Sequence, residues 1–209
     1  MEQTKYKFIS NFNEGFARIN LNGRFNFIDE QDKLLSDTWF DLCDTFYKGF
    51  ARIKLNGKWN FIDEQGNFIS SQWFDWCDSF SEGFARVRLN GKWNIINKQG
   101  NIISDQLFDY CGSFCEGFAC IKLNNKYNFL DKQGKYLSEQ WFDFCINFSE
   151  GFARVILNHK WNYIDYHGYL LSDTWFDLCS TFNKGTAGVR IDGIYKVINT
   201  KGEILDEAN

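Results

Sequence analysis

The 209 residues contain no proline, a single methionine and two histidines. The missing proline, with Asn, Lys and Phe abundant, fits the codon usage of an AT-rich genome and says nothing physical. The histidine shortage is more informative. His159 and His167 both fall late in the chain, so no His-based catalytic site recurs along it, and a Ser/His or Cys/His pair has little support. No apolar run approaches the roughly 20 residues that span a bilayer, and Met1 to Phe8 lacks the apolar centre of a signal peptide. Nor is there a basic excess. Lys and Arg total 23 against 27 Asp and Glu, a net charge of −4 without any basic stripe. That argues against nucleic acid, which needs clustered cations against phosphates. Paired Cys-x₂-Cys spacings are absent too, so tetrahedral zinc is not expected, and no Gly-rich phosphate loop appears.

What the chain does have is repetition. Gly15, Gly49, Gly83, Gly117, Gly151 and Gly185 stand at intervals of 34 residues. The same step links Phe25, Trp59, Trp93, Tyr127, Trp161 and Tyr195, and also Cys43, Cys77, Cys111, Cys145 and Cys179. No insertion breaks the register. The units run approximately 4–37, 38–71, 72–105, 106–139, 140–173 and 174–207, read as one repeat domain over 1–209. Fixed-period similarity marks solenoids, propellers and arrays, in which a unit buries its apolar face only against its neighbours. Aromatic residues make up 19% and apolar residues 44%, which suits a globular core and excludes disorder.

One unit reads as strands and turns. Gly83 to Leu89 alternates, with Ala85, Val87 and Leu89 on one face and Phe84, Arg86 and Arg88 on the other, as in a half-buried strand. Asn90-Gly91 follows, the strongest short hairpin signal, because a type I′ turn needs positive φ at both central residues. The returning strand, Lys92 to Asn97, sets Trp93 and Ile95 on one side. The last segment, Ser104 to Phe114, is ambiguous. As a strand it puts Phe108 and Tyr110 on one face and Leu107, Asp109 and Cys111 on the other. As a short helix capped by Ser104 it aligns Leu107, Phe108, Cys111 and Phe114. Its internal Asp and Gly and its shortness favour the extended form, so each unit is expected to be a three- or four-stranded antiparallel meander.

The motif Phe80-Ser-Glu-Gly-Phe-Ala-Arg-Val-x-Leu-Asn-Gly-Lys-Trp-Asn-x-Ile, followed by a Lys-Gln-Gly turn, resembles the bacterial WG-repeat family across all six units. The resemblance implies a β-repeat fold and a binding or scaffold role, with no chemistry attached. One departure is systematic. Where the family has Gly after the Trp, this chain has Asn26, Asn60, Asn94, Asn128 and Asn162, and finally Lys196. Asn tolerates positive φ, so the same backbone is expected there.

Both end units diverge. The first carries Lys5 to Ile9 where the others carry Trp-Phe-Asp-x-Cys, and the last replaces Phe, Arg and Trp-Asn by Thr186, Gly188 and Tyr195-Lys196. Divergent ends, and a period shorter than the roughly 40–45 residues of common propeller blades, favour an open twisted β-array over a closed six-bladed small propeller.

Each chemical candidate has a structural counterpart. Asp41, Asp75, Asp109, Asp143 and Asp177 precede the cysteines by two, and Arg52, Arg86 and Arg154 (with Arg18) lie in the adjoining strand. They form either a repeated binding surface or pairs that fix the repeat geometry. A group copied five times reads as architecture, since catalysis needs a unique constellation. Cys111, Cys115 and Cys120 share one unit, but the cysteines are read as small buried hydrophobes in a reducing cytoplasm. Trp39, Trp73, Trp141 and Trp175, with Leu107 between them, are either stacking platforms for sugars or packing between units, and Leu107 favours packing. His159 and His167 are read as solvated turn tips.

The expected function is a non-catalytic scaffold for a protein or peptide, with a multivalent glycan- or small-ligand-binding protein as the alternative. No enzyme activity, cofactor, metal, nucleic acid or membrane partner is expected, the location is cytoplasmic, and self-association stays open.

Overall fold

The computed structural model describes residues 6–205. The targeting-signal reading therefore rests partly on residues outside that range. All described residues are strand, turn or irregular chain, and no helix among them is long and apolar enough to cross a membrane. The chain forms two compact units, Met1–Leu107 and Phe108–Asn209.

Six hairpins of equal length recur, of which Phe50–Leu55 and Lys58–Asp63 are typical, paired antiparallel from Leu55↔Lys58 to Phe50↔Asp63. Their turns are what the Asn-Gly dipeptides require. Asn56 and Gly57 have φ of 50° and 79°, and the substituted turns Asn124-Asn125 and Asn158-His159 keep both angles positive. A two-residue strand precedes most hairpins, as at Leu42–Cys43, Trp76–Cys77, Tyr110–Cys111 and Leu178–Cys179, and before the fifth it lengthens to Phe144–Ser149. Five sheets have three strands, and the last adds Ile204–Leu205 as a fourth.

Ser104 to Phe114 is extended, not helical, but its side chains do not alternate as a strand would predict. Phe108 and Cys111 are buried while Leu107, Asp109 and Tyr110 are exposed. The equivalent segment at Phe74 shows why. There the chain changes partner: Phe74 exchanges backbone hydrogen bonds with Trp59 of the preceding hairpin, and Asp75 N–H then donates to Arg88 C=O of its own. The backbone steps from one sheet to the next within two residues, which resets the side-chain phase.

The cores lie between copies. In one cluster Phe27 of the first hairpin packs with Phe40, Cys43, Phe46, Ala51, Ile53 and Ile62 of the second unit. Phe61 likewise joins Phe74, Cys77, Phe80, Ala85, Val87 and Ile96, and in the second compact unit Tyr163 joins Phe176, Phe182, Val189 and Ile198. Hence the returning strand buries three consecutive residues, such as Asn60, Phe61 and Ile62: Ile62 faces its own sheet's core and Phe61 faces the next. Val197, the equivalent position in the final hairpin, is exposed, since no further hairpin follows among the described residues.

The turn after each hairpin shows the same dependence. Gly66 has φ of 85°, and a Cβ built there would strike the carbonyl of Leu35 in the preceding copy; Gly100 meets Ile69 and Gly168 meets Leu137 in the same way. The first copy, with no predecessor in the described chain, has Asp32 at this position, also at positive φ.

Candidate functional site

Asn26, Asn60, Asn94, Asn128 and Asn162 are buried, and none has positive φ. The expectation that Asn preserves a left-handed backbone is therefore corrected. Asn60 Nδ2 donates to Ser70 C=O at 2.7 Å, and its Oδ1 accepts the Phe61 N–H at 2.8 Å. The same two bonds recur at the other four positions. A buried amide that satisfies a strand and the loop ten residues on holds the turn closed.

The repeated carboxylates occupy inter-copy positions. Asp41 pairs with Arg24, Asp75 with Lys58, Asp143 with Lys126 and Asp177 with Lys160, each cation coming from the start of the preceding hairpin's second strand. The free oxygen caps the hairpin turn of its own copy: Asp143 accepts from Asn158 N–H at 2.8 Å, Asp109 from Asn124 N–H at 2.9 Å and Asp177 from Gly193 N–H at 3.1 Å. The Lys hydrogen bonds, aided by the turn amides, hold Asp75, Asp143 and Asp177 below the usual carboxylate range.

The arginines belong to a separate station. Arg52 binds Asp44 and donates to Cys77 C=O of the next copy at 2.7 Å, while its guanidinium carbon lies 5.3 Å from the ring centres of both Trp59 and Trp76. Arg86 pairs with Asp78 and lies against Trp93; Arg154 lies against Trp161 and donates to Cys179 C=O. Arg18 donates to Cys43 C=O. The guanidiniums of Arg18, Arg52 and Arg154 each tie one copy to its successor, an arrangement suited to their planar, delocalised charge. Asp41, Asp75, Asp143 and Asp177 thus pair with cations outside the Arg column named from sequence.

A third tie carried no recognised sequence signal. Glu14 accepts N–H bonds from Lys48 and Gly49, Glu116 from Glu150 and Gly151, and Glu150 from Lys184 and Gly185. Burial tends to raise the Glu116 carboxyl, but the Tyr166 hydroxyl and two backbone amides outweigh it and hold it low. The recurrence of Glu before Gly at the 34-residue step was the available clue.

Most cysteines are buried hydrophobes as expected. Burial pushes Cys43 and Cys77 up to about 12 and Cys179 to about 11, leaving little thiolate at neutral pH. The reading fails at Cys120 and Cys145, which form a disulfide between neighbouring copies. Cys111 and Cys115 remain thiols, and among the described residues no cluster of three or more His, Cys, Asp or Glu is placed to hold a metal.

Trp39, Trp73 and Trp175 are half-buried and pack against the Ala17, Phe27 and Phe129 cores respectively, so their ring faces serve packing between copies. What stands out to solvent is a different pair of columns. Leu42, Tyr110, Phe144 and Leu178 are exposed at one repeat position, and Leu34, Phe68, Ile102, Tyr136, Leu170 and Ile204 at another.

Inter-copy cores, inter-copy ion pairs and solvent-facing apolar columns define a tandem β-repeat protein. Five consecutive segments, residues 3–25, 27–59, 61–93, 95–127 and 129–161, match the WG containing repeat. The chain belongs to that family. No curated protein matches it. Among solved structures it is similar to Kluyveromyces lactis Hsv2 (12% identity, TM-score 0.43, covering 93% of this chain and 74% of that one). It is similar also to apo AztD from Citrobacter koseri (10%, TM-score 0.41, covering 99% and 72%) and to the Neurospora crassa Pan2 WD40 domain (13%, TM-score 0.36, covering 92% and 74%). Likenesses of this size speak neither to ligand nor to reaction.

Proposed function

We propose that this chain is a non-catalytic scaffold that binds a protein or peptide through its repeated apolar columns. The observation that carries the reading is the exposure of large apolar side chains at the same position in successive copies, Leu34, Phe68 and Ile102 in one compact unit and Tyr136, Leu170 and Ile204 in the other. Singly exposed apolar residues are ordinary; a periodic row of them is suited to an extended partner. The charged groups, by contrast, are used internally. The Asp column neutralises Arg24, Lys58, Lys126 and Lys160, and Arg18, Arg52 and Arg154 hold the next copy's Cys carbonyl, which supports architecture over a reaction centre. The glycan alternative is weaker because Trp59 already carries Arg52 and Lys54 as cation–π partners.

The test is affinity capture with the intact chain, alongside Phe68→Glu and Tyr136→Glu. These exposed substitutions should leave the melting temperature nearly unchanged and remove the captured partner. Retention of the partner by both variants, or saturable binding on a glycan array, would sink the proposal.

A further inference from the structure

The arginine station is broken in two copies, by Gly188 in the last and by Cys120 in the fourth. Arg18, Arg52, Arg86 and Arg154 occupy it elsewhere. Arginine at this position reaches the carbonyl of the cysteine 25 residues on, as Arg18 does at Cys43, Arg52 at Cys77 and Arg154 at Cys179. Cys120 is bonded covalently to the cysteine 25 residues on, Cys145. The link between copies is thus kept by two sulfur atoms, and the volume of a guanidinium and its stem is left over.

An open cleft of about 410 Å³, larger than the missing side chain, lies there, and its lining includes Cys120, Tyr127, Phe144, Cys145 and Ile146. Its aromatic walls are repeat equivalents of those that hold a guanidinium elsewhere. Tyr127 stands where Trp59 does and Phe144 where Trp76 does, with ring centres 5.3 Å apart against 6.2 Å for the Trp pair. Cys145 supplies the backbone at the position of the Cys77 acceptor. Lys122 lies over the Tyr127 ring, just as Lys54 lies over Trp59. Trp59 carries Arg52 as well, so one ring at this station accommodates two cations. Nor is an acid required: Arg154 keeps its place against Trp161 although Ile146, not Asp, pairs with it across the strands.

We infer that this cleft receives one arginine side chain from a peptide partner, the guanidinium stacking on Tyr127 with Phe144 edge-on beside it. The chain thereby recognises in trans what its other copies bind in cis. This rests on the scaffold reading and names one group the partner must carry. Arginine is favoured over lysine because a planar, weakly hydrated cation stacks on rings and donates in their plane, whereas an ammonium keeps its water.

The experiment titrates the whole protein, ¹³C-labelled in Tyr and Phe rings, with acetyl-Gly-Arg-Gly-amide, the Lys analogue and free L-arginine. The Tyr127 and Phe144 resonances should shift saturably with the arginine peptide, and the lysine peptide should bind about tenfold more weakly. Cys120→Arg restores the residue of four other copies, occupies the cleft from within and should abolish the shift. Cys120→Ser leaves the cleft open without the disulfide and should bind within about threefold of the wild type, a stacked contact needing only the open rings. Equal responses to Arg and Lys, an undiminished response in Cys120→Arg, or no response in either the wild type or Cys120→Ser would overturn the inference. Free arginine binding as tightly as the peptide would overturn the assignment to a peptide. Capture of the full partner by Cys120→Arg would remove the slot while leaving the scaffold intact, and its loss in Phe68→Glu alone bears on the scaffold.

Discussion

At the scale of single residues, the buried asparagines separate two explanations that look alike in the sequence. Asn in place of Gly suggests backbone tolerance, yet Asn60 is in strand conformation and spends both ends of its amide on Ser70 and Phe61. Asn60→Gly should therefore destabilise the protein by about 2 kcal/mol, since it strands a buried carbonyl and a buried N–H. If the position existed for positive φ, Gly would be neutral or stabilising; urea unfolding decides. The column itself was legible as a period of 34 residues. Its purpose was not, because the accepting carbonyl sits ten residues away across a turn whose closure only the folded chain shows.

Cys120 makes the same point with opposite chemistry. As one of three cysteines in a copy it reads as a small buried hydrophobe, while its covalent partner lies in the next copy. The bond closes a 25-residue loop, for which loop-closure entropy gives about 3.5 kcal/mol. In an oxidising buffer Cys120→Ser should lose up to that amount in chemical denaturation. With reductant present, wild type and variant should nearly coincide. A gap that persists under reduction would mean that the Cys side chain contributes through packing instead.

At the scale of elements, hairpins were the most legible feature. Alternation and Asn-Gly turns specify them locally, and even Asn124-Asn125 and Asn158-His159 adopt the same two positive φ angles. The linking segment was half legible. Its extended form followed from Asp and Gly, but its faces did not, because Phe74 bonds to one sheet and Asp75 to another. The ion pairs that flank it bear on pH. Asp75, Asp143 and Asp177 have lowered folded values, so the unfolded chain binds protons first as pH falls. Their stabilisation is complete above the ordinary carboxylate value near 4 and is lost as pH drops through the lower folded value. These groups are solvent-facing, so the effect is small and salt-sensitive. Melting temperature should fall from pH 5 to pH 2, and Lys58→Gln should flatten that fall slightly. An unchanged slope in the variant would show that Lys58 contributes no net linkage.

At the scale of the whole molecule, the copies are not independent. Phe61 is buried by Phe74, Phe80 and Val87 of the following copy, and Tyr163 by Phe176 and Phe182. An excised copy such as residues 38–71 should then show no cooperative melting by circular dichroism. In the full chain Phe61→Ala should cost about 3–5 kcal/mol, the range for emptying a large aromatic site. A single copy that melts cooperatively would contradict the shared cores.

The amino-acid order alone determined the period, the hairpins, their turns and the family, because these depend on contacts a few residues apart that repeat without interruption. Tertiary structure alone decided what each repeated polar group is for. The Asp column found the cation that opens the preceding hairpin's second strand, Arg24 for Asp41 and Lys for Asp75, Asp143 and Asp177, the Arg column found a carbonyl 25 residues on, and Cys120 found Cys145. Such pairings depend on how one copy lies against the next, and a one-dimensional period carries no record of that distance.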